Sequence, residues 1–176
     1  MSIQIVLALE SKPSPPLWLE RVPTEVFKKE VIASDHVSAY LKYIVSNYES
    51  LADYVLFLRS EPLQFSTANA NAFIHALLKE QCLLFDKTFW LQTLKCLPDG
   101  RPHHPGLAIE AAYSKLFPGQ QMPQVLEFTV GSQFMVTKQK ILGRPKTFYE
   151  SLLAMYDAGA IDAPVLERLW STIFQM

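Results

Sequence analysis

Apolar positions along the chain fall into short continuous runs and into stretches with helical spacing. The runs at 3–9 and 54–58 are largely apolar and end at charged residues, and the stretch 25–32 is rich in β-branched residues. Each run predicts a buried strand. Between the stretch 25–32 and the run 54–58, apolar side chains recur every three or four residues, at Val37, Tyr40, Leu41, Ile44, Val45 and Tyr48. This spacing predicts a helix with one buried face, for which Ser34 is the expected N-cap.

The second half of the chain alternates in the same way. Helical patterns occupy 69–82, 109–117, 147–158 and 163–174, the last with Asp162 as its expected cap, and 84–97 is ambiguous. From Val125 the chain gives an apolar strand, a turn at Gly131–Phe134, a second short strand, and a helix broken at Gly143-Arg144-Pro145. Strands that alternate with helices predict a three-layer α/β/α fold with a mixed, mostly parallel sheet in one domain, 1–176.

Composition narrows the classes of partner and location. The 176 residues are 49% hydrophobic and carry 16 basic and 17 acidic side chains, so no charge pattern favours nucleic acid or an anionic membrane. No apolar run approaches the ~20 residues of a membrane span, and the N-terminal run lacks the basic start of a signal peptide. Cys82 and Cys96 lack metal-site spacing, and we expect reduced, largely buried thiols in a cytoplasmic protein, with a single disulfide as the alternative. The apolar content leaves a dense core, a protein partner or a homo-oligomer as alternatives.

A pair of histidines and a glycine-containing turn are the candidate sites by residue type. His103 and His104 stand on a proline-rich loop, where an imidazole can act as a general base or ligate a metal, with Asp99 as an accessory. The alternative is that one ring packs under the loop while the other is solvated. Gln133, beside Gly131 and Ser132, can bind a sugar hydroxyl or a nucleotide edge, or can instead satisfy the backbone of the turn.

Several segments resemble the DUF3431 family, in the order in which that family has them. They include residues 39–48, 53–58, 99–107, 131–136 and Glu167-Arg168-Leu169-Trp170, and they cover most of the chain from about residue 34. The resemblance implies a reduced relative of the A-type glycosyltransferases, which transfer a sugar from a nucleotide sugar. It also implies that Glu167 points into a cleft as catalytic base or carboxylate ligand, against the alternative of a solvated charge on the helix surface. Arg144 is then a candidate for binding a phosphate, against the alternative that it caps carbonyl groups.

The sequence also departs from the family pattern. Ser34-Asp35-His36-Val37 replaces a Gly-Arg-Glu-type segment, and Arg59 begins a stretch where a histidine is usual. A-type glycosyltransferases commonly hold a divalent metal with an Asp-X-Asp pair, and this sequence has none, which argues against metal dependence. Two further interpretations therefore stay open: a non-catalytic relative that acts as a binding or assembly module, and a metal-dependent hydrolase built on His103, His104 and Asp99.

Overall fold

A computed structural model of the chain describes residues 2–10, 27–33, 35–59 and 93–174. The strands are β1 Ile3–Glu10, β2 Phe27–Ala33, β3 Tyr54–Arg59, β4 Thr93–Cys96, β5 Leu126–Thr129 and β6 Phe134–Thr137. The helices are α1 His36–Asn47, α2 Ile109–Leu116, α3 Lys138–Leu142, α4 Lys146–Asp157 and α5 Ala163–Ile173. None of the helices in these ranges is long and apolar enough to cross a membrane.

Most of the predicted elements are confirmed within these ranges. The runs at 3–9 and 54–58 form β1 and β3, and the described part of the run at 25–32 forms β2. The four-residue β4 shows that the ambiguous stretch 84–97 contains a strand near its end. The predicted helix at 69–82 and Cys82 lie outside the described residues.

The cap of α1 differs from the prediction. The carboxylate of Asp35, and not Ser34, accepts the N–H of Ser38 at 3.0 Å, because the helix begins at His36. Asp162 caps α5 as expected, and its Oδ1 accepts the N–H of Val165 at 3.0 Å.

The main sheet is mixed and mostly parallel, as predicted. Its strand order is β2-β1-β3-β6, with β1 parallel to both β2 and β3, and β6 antiparallel to β3. A second sheet pairs β4 with β5 in antiparallel fashion. In sequence order the chain places β2 on one side of β1 and then places β3 on the other side. The order therefore reverses between β1 and β3, which makes the carboxyl ends of these two strands a topological switch point.

Side chains on both faces of the sheet are buried at β1 and β3. One face presents Val6, Ala8, Val55 and Phe57, and the other presents Ile5, Leu7, Leu9, Leu56 and Leu58. The first face packs against helices: the rings of Tyr40 and Phe57 are 4.8 Å apart between centroids, and those of Phe134 and Trp170 are 5.5 Å apart. Apolar, buried positions on both faces of β1 and β3 are typical of a sheet in a general α/β fold.

Candidate functional site

A buried turn lies beside the carboxyl end of β3. The turn, Val130–Ser132, leads through Gln133 into β6, and Phe134 at the start of β6 is paired with Phe57 near the end of β3. Antiparallel pairing thus places this turn at the edge where the parallel strands end. Open α/β sheets bind ligands in the crevice at this edge.

The backbone of the turn is unusual for its residues. Gly131 has φ 78° and Ser132 has φ 55°, so both are in the left-handed region. Glycine adopts this conformation without steric cost, whereas few residues with a side chain do. Strained residues of this kind cluster at functional sites, where the surrounding structure holds them in place.

The hydroxyl of Ser132 is buried without a partner. Its side chain is fully inaccessible, and Oγ has no hydrogen bond to any group in the described part of the chain. A buried polar group without a partner typically costs about 1–3 kcal/mol. Strain and an unpartnered hydroxyl therefore coincide in one residue of the turn.

The amide of Gln133 holds the turn against β3. Its Oε1 accepts the backbone N–H of Arg59 at 3.2 Å, and the side chain is fully buried. This bond continues the contact between β3 and β6 beyond their last paired residues, Phe57 and Phe134. Gln133 thus has the backbone-satisfying role that the sequence offered as an alternative to ligand binding, and it has that role at the switch-point edge.

Glu167 on α5 lies against the same turn. Its Oε1 accepts the N–H of Gly131 at 3.0 Å, and its Oε2 is 3.0 Å from Nη1 of Arg168. The carboxylate side chain is 18% exposed. The structure therefore brings together Glu167, Gly131, Ser132 and Gln133, four of the residues selected from the sequence.

Arg168 is the residue of this site that the sequence interpretation missed. Its side chain is only 3% exposed, Nη1 donates to the carbonyl of Pro164 at 3.2 Å, and Cζ lies 4.2 Å from the ring centroid of Phe128. The available signal was a cation placed among the apolar residues of a strongly amphipathic helix, Val165, Leu166, Leu169, Trp170 and Ile173. A buried arginine requires partners for its charge and its N–H groups. Arg168 has Glu167, which binds the turn, on one side and His104 of the proline-rich loop on the other, so it links the turn to that loop.

The two histidines have different partners. Nδ1 of His104 is 2.8 Å from Nη2 of Arg168, and because a guanidinium only donates, Nδ1 accepts. The ring of His103 meets the edge of Phe128 instead, with centroids 5.9 Å apart. Within the described ranges no three His, Cys, Asp or Glu side chains converge on a common point that could hold a metal.

Asp99 is engaged within its own loop. Its carboxylate accepts the backbone N–H of Arg101 at 3.1 Å and the Nε–H of Arg101 at 2.6 Å. The backbone bond, followed by the guanidinium, holds the pKa of this carboxyl below its usual range. Asp99 therefore orders the turn of the loop and is not directed at either histidine.

Cys96 lies beside the same cluster as a buried, free thiol, which confirms the expectation for this residue. Burial raises the pKa of the thiol, and the nearby positive charge of Arg168 opposes that rise. A thiol that stays protonated is a poor nucleophile, so Cys96 serves as a packing residue here.

Arg144 lies at the carboxyl end of α5, whereas Glu167 lies near the middle of that helix. Its Nε donates to the carbonyl of Ile173 at 3.3 Å, and its own carbonyl accepts the hydroxyl of Tyr48 at 2.6 Å. This is the capping role that the sequence offered as an alternative to phosphate binding. The structure does not bring Arg144 together with the turn.

The comparisons with known proteins place the chain in a family. The family model described as "Protein of unknown function (DUF3431)" matches residues 78–176, more than half of the 176 residues, and the chain belongs to this family. The match includes the turn, both histidines and α5, but the similar segments noted at 39–48 and 53–58 lie outside it. No curated protein and no solved structure matches the chain.

Proposed function

We propose that this member of the DUF3431 family binds a nucleotide sugar at the carboxyl ends of β1 and β3 and transfers the sugar to an acceptor. The observation that carries the proposal is the buried polar turn of Gly131, Ser132 and Gln133 beside the carboxyl end of β3, on the same edge of the mostly parallel sheet as the switch point between β1 and β3. A position of this kind is a common ligand site in open α/β sheets, and its polar groups suit a ligand rich in hydroxyls.

Ser132 and Gln133 are the proposed contacts to the ligand. A hydroxyl group both donates and accepts, so Ser132 can pair with a ribose or sugar hydroxyl and thereby gain its missing hydrogen bond. Because Ser132 is fully buried, the ligand must displace groups packed at this edge. We therefore expect binding to be accompanied by a local rearrangement of the turn.

Glu167 is the proposed base for the acceptor hydroxyl. Two of the roughly four lone-pair positions of its carboxylate are used, by the N–H of Gly131 and by Arg168, and the remainder can accept a proton from a bound hydroxyl. Arg168 and Gly131 fix the orientation of the carboxylate, which is the contribution that a positioned base makes to rate.

A panel of nucleotide sugars tests this function by thermal unfolding. UDP-, GDP-, ADP- and CMP-linked sugars are each added, with and without Mn²⁺. A ligand at about 100 times its dissociation constant stabilises the folded state by about 2.7 kcal/mol, which is a rise in Tm of about 5–10 °C for a chain of this length. We expect one nucleotide class to give this shift. A flat panel would contradict the proposal.

One observation favours the second candidate function, a non-catalytic binding or assembly module. Gln133 Oε1 and both oxygens of Glu167 are already bonded to protein groups, which is how structural side chains behave. Release of the nucleotide leaving group separates the two functions: this is the nucleoside diphosphate for UDP-, GDP- and ADP-linked sugars, and CMP for CMP-linked sugars. Turnover that is lost in Glu167→Gln, in a variant that still binds the nucleotide sugar, supports the transferase. Absence of turnover in a protein that forms a stable oligomer by light scattering supports the module.

A further inference from the structure

A polar depression lies at the carboxyl end of α5, away from the turn. It encloses about 320 Å³, which is within the usual range of small-ligand sites. The residues that line it and matter here are Gln120, Glu127, Arg144, Ser171 and Thr172. Helix α5 rises about 1.5 Å per residue, so Ile173, where Arg144 is bound, lies about 9 Å along the axis from Glu167.

The guanidinium of Arg144 is held in one orientation. Its Cζ lies 4.9 Å from the ring centroid of Phe117 and 5.5 Å from that of Phe148, and its Nε donates to Ile173. Phe117 and Phe148 are themselves stacked, with centroids 6.0 Å apart, so both rings lie on the same side of the guanidinium and restrict its movement there. Nη1 and Nη2 make no hydrogen bond or ion pair with the described residues. An arginine ordered in this way loses little conformational entropy when it binds a ligand.

We infer that this depression is a second ligand site, which binds a small molecule through an oxyanion group, a carboxylate or a phosphate. The terminal nitrogens of Arg144 match two oxygens of such a group, and the hydroxyls of Ser171 and Thr172 line the same space as further donors. The site is independent of the function proposed for the turn, since the two share no residue.

The negative charge of Glu127 limits the affinity of the site for an anion. This carboxylate lines the depression and repels an anion, although Lys95 lies 3.0 Å from its Oε1. Both side chains of this pair are more than half exposed, so water and salt screen them. We therefore expect modest affinity that rises when the charge of Glu127 is removed.

Titration followed by NMR of ¹⁵N-arginine-labelled protein tests the inference. Inorganic phosphate is added in one arm and butyrate in the other, at constant ionic strength in sodium chloride. The Nε–H resonance of Arg144 is expected to shift and saturate in at least one arm, and the comparison of arms identifies the preferred oxyanion. Arg101, an exposed arginine paired with Asp99, is the internal control and should not show a saturable shift.

Variants then assign the binding to these residues. Binding followed by calorimetry should weaken about tenfold or more in Arg144→Gln and should be unchanged in Arg101→Gln. Because Arg144→Gln also removes a cap, Ser171→Ala supplies a second variant that leaves Arg144 in place, with an expected loss of about threefold. Glu127→Gln should strengthen binding about threefold. Shifts that never saturate, or affinities that none of these substitutions changes, would overturn the inference.

Discussion

Nη2 of Arg168 donates to Nδ1 of His104 across 2.8 Å, and this contact ties the proline-rich loop to helix α5. The neighbouring Glu167 in turn holds the N–H of Gly131, so loop, helix and turn form one hydrogen-bonded unit. Because Arg168 is buried, its partners compensate for the water that its charge has lost. The geometry of the candidate site therefore depends on a residue that is itself inaccessible to a ligand.

Replacing Arg168 with methionine should destabilise the fold strongly. The substitution preserves some of the packing on Phe128, but it removes the partner of Glu167 and of His104. Breaking a pair buried to this degree is expected to lower the free energy of unfolding by about 3 kcal/mol, measured by urea denaturation. Arg101→Gln, which breaks an exposed and solvent-screened pair, is the control, and its loss should be much smaller. Equal effects would contradict the role assigned to Arg168.

His104 is expected to contribute through the acceptor at Nδ1. In His104→Asn the side-chain oxygen can take the place of Nδ1, so stability should stay close to that of the unmodified protein. In His104→Ala the acceptor is lost, and we expect a decrease of about 1 kcal/mol in the free energy of unfolding. His103→Ala is the control and should cost less, since His103 contributes only a ring-edge contact. An asparagine variant that is as unstable as the alanine variant would contradict this account.

Substitution of Ser132 should separate stability from binding. Ser132→Gly relieves the left-handed strain and removes an unpartnered hydroxyl, so the free energy of unfolding should rise by about 1 kcal/mol. Ser132→Ala removes the hydroxyl but keeps the strain, and it should raise stability less. Both variants should lose affinity for the nucleotide sugar selected by thermal shift. Unchanged affinity in both would show that the hydroxyl makes no contact with the ligand.

Asp53 should make part of the stability depend on pH in the acid range. Its Oδ2 accepts the N–H of Ser2 at 2.7 Å and the hydroxyl of Ser2 at 3.1 Å, and these bonds lower the pKa of the carboxyl. A lowered pKa stabilises the folded state above the unfolded value of about 3.9, and this contribution is lost as the pH falls through the folded value. The difference in stability between the unmodified protein and Asp53→Asn should therefore be constant from about pH 5 to pH 7 and shrink below about pH 4. A difference that persists at low pH would contradict the assignment.

The elements that the sequence predicted correctly are those governed by local pattern. The apolar run at 54–58, bounded by turn signals, is typical of a strand buried on both faces, and the spacing from Val37 to Tyr48 places one helical face in the core. The choice between Ser34 and Asp35 as the cap was less secure, because both residue types serve as caps and their positions differ by one.

The arrangement of the site depended on contacts that no local pattern records. His104 and Arg168 are 64 residues apart, and Gln133 is 74 residues from the N–H of Arg59 that it accepts. From the sequence, Arg168 is a charge beside Glu167 on a helix, where exposure is the usual outcome. Its burial follows from the packing of β5, which places Phe128 under the guanidinium.

The most direct test of the central claim is the position of the nucleotide sugar on the protein. Amide ¹H–¹⁵N spectra are recorded while each of the four nucleotide-sugar classes is titrated to millimolar concentration. The account predicts that one class shifts the resonances of Gly131, Ser132 and Gln133 together, with a common saturation curve. If none of the four classes moves these three resonances, or if the shifts saturate elsewhere, the edge of the sheet is not the donor site.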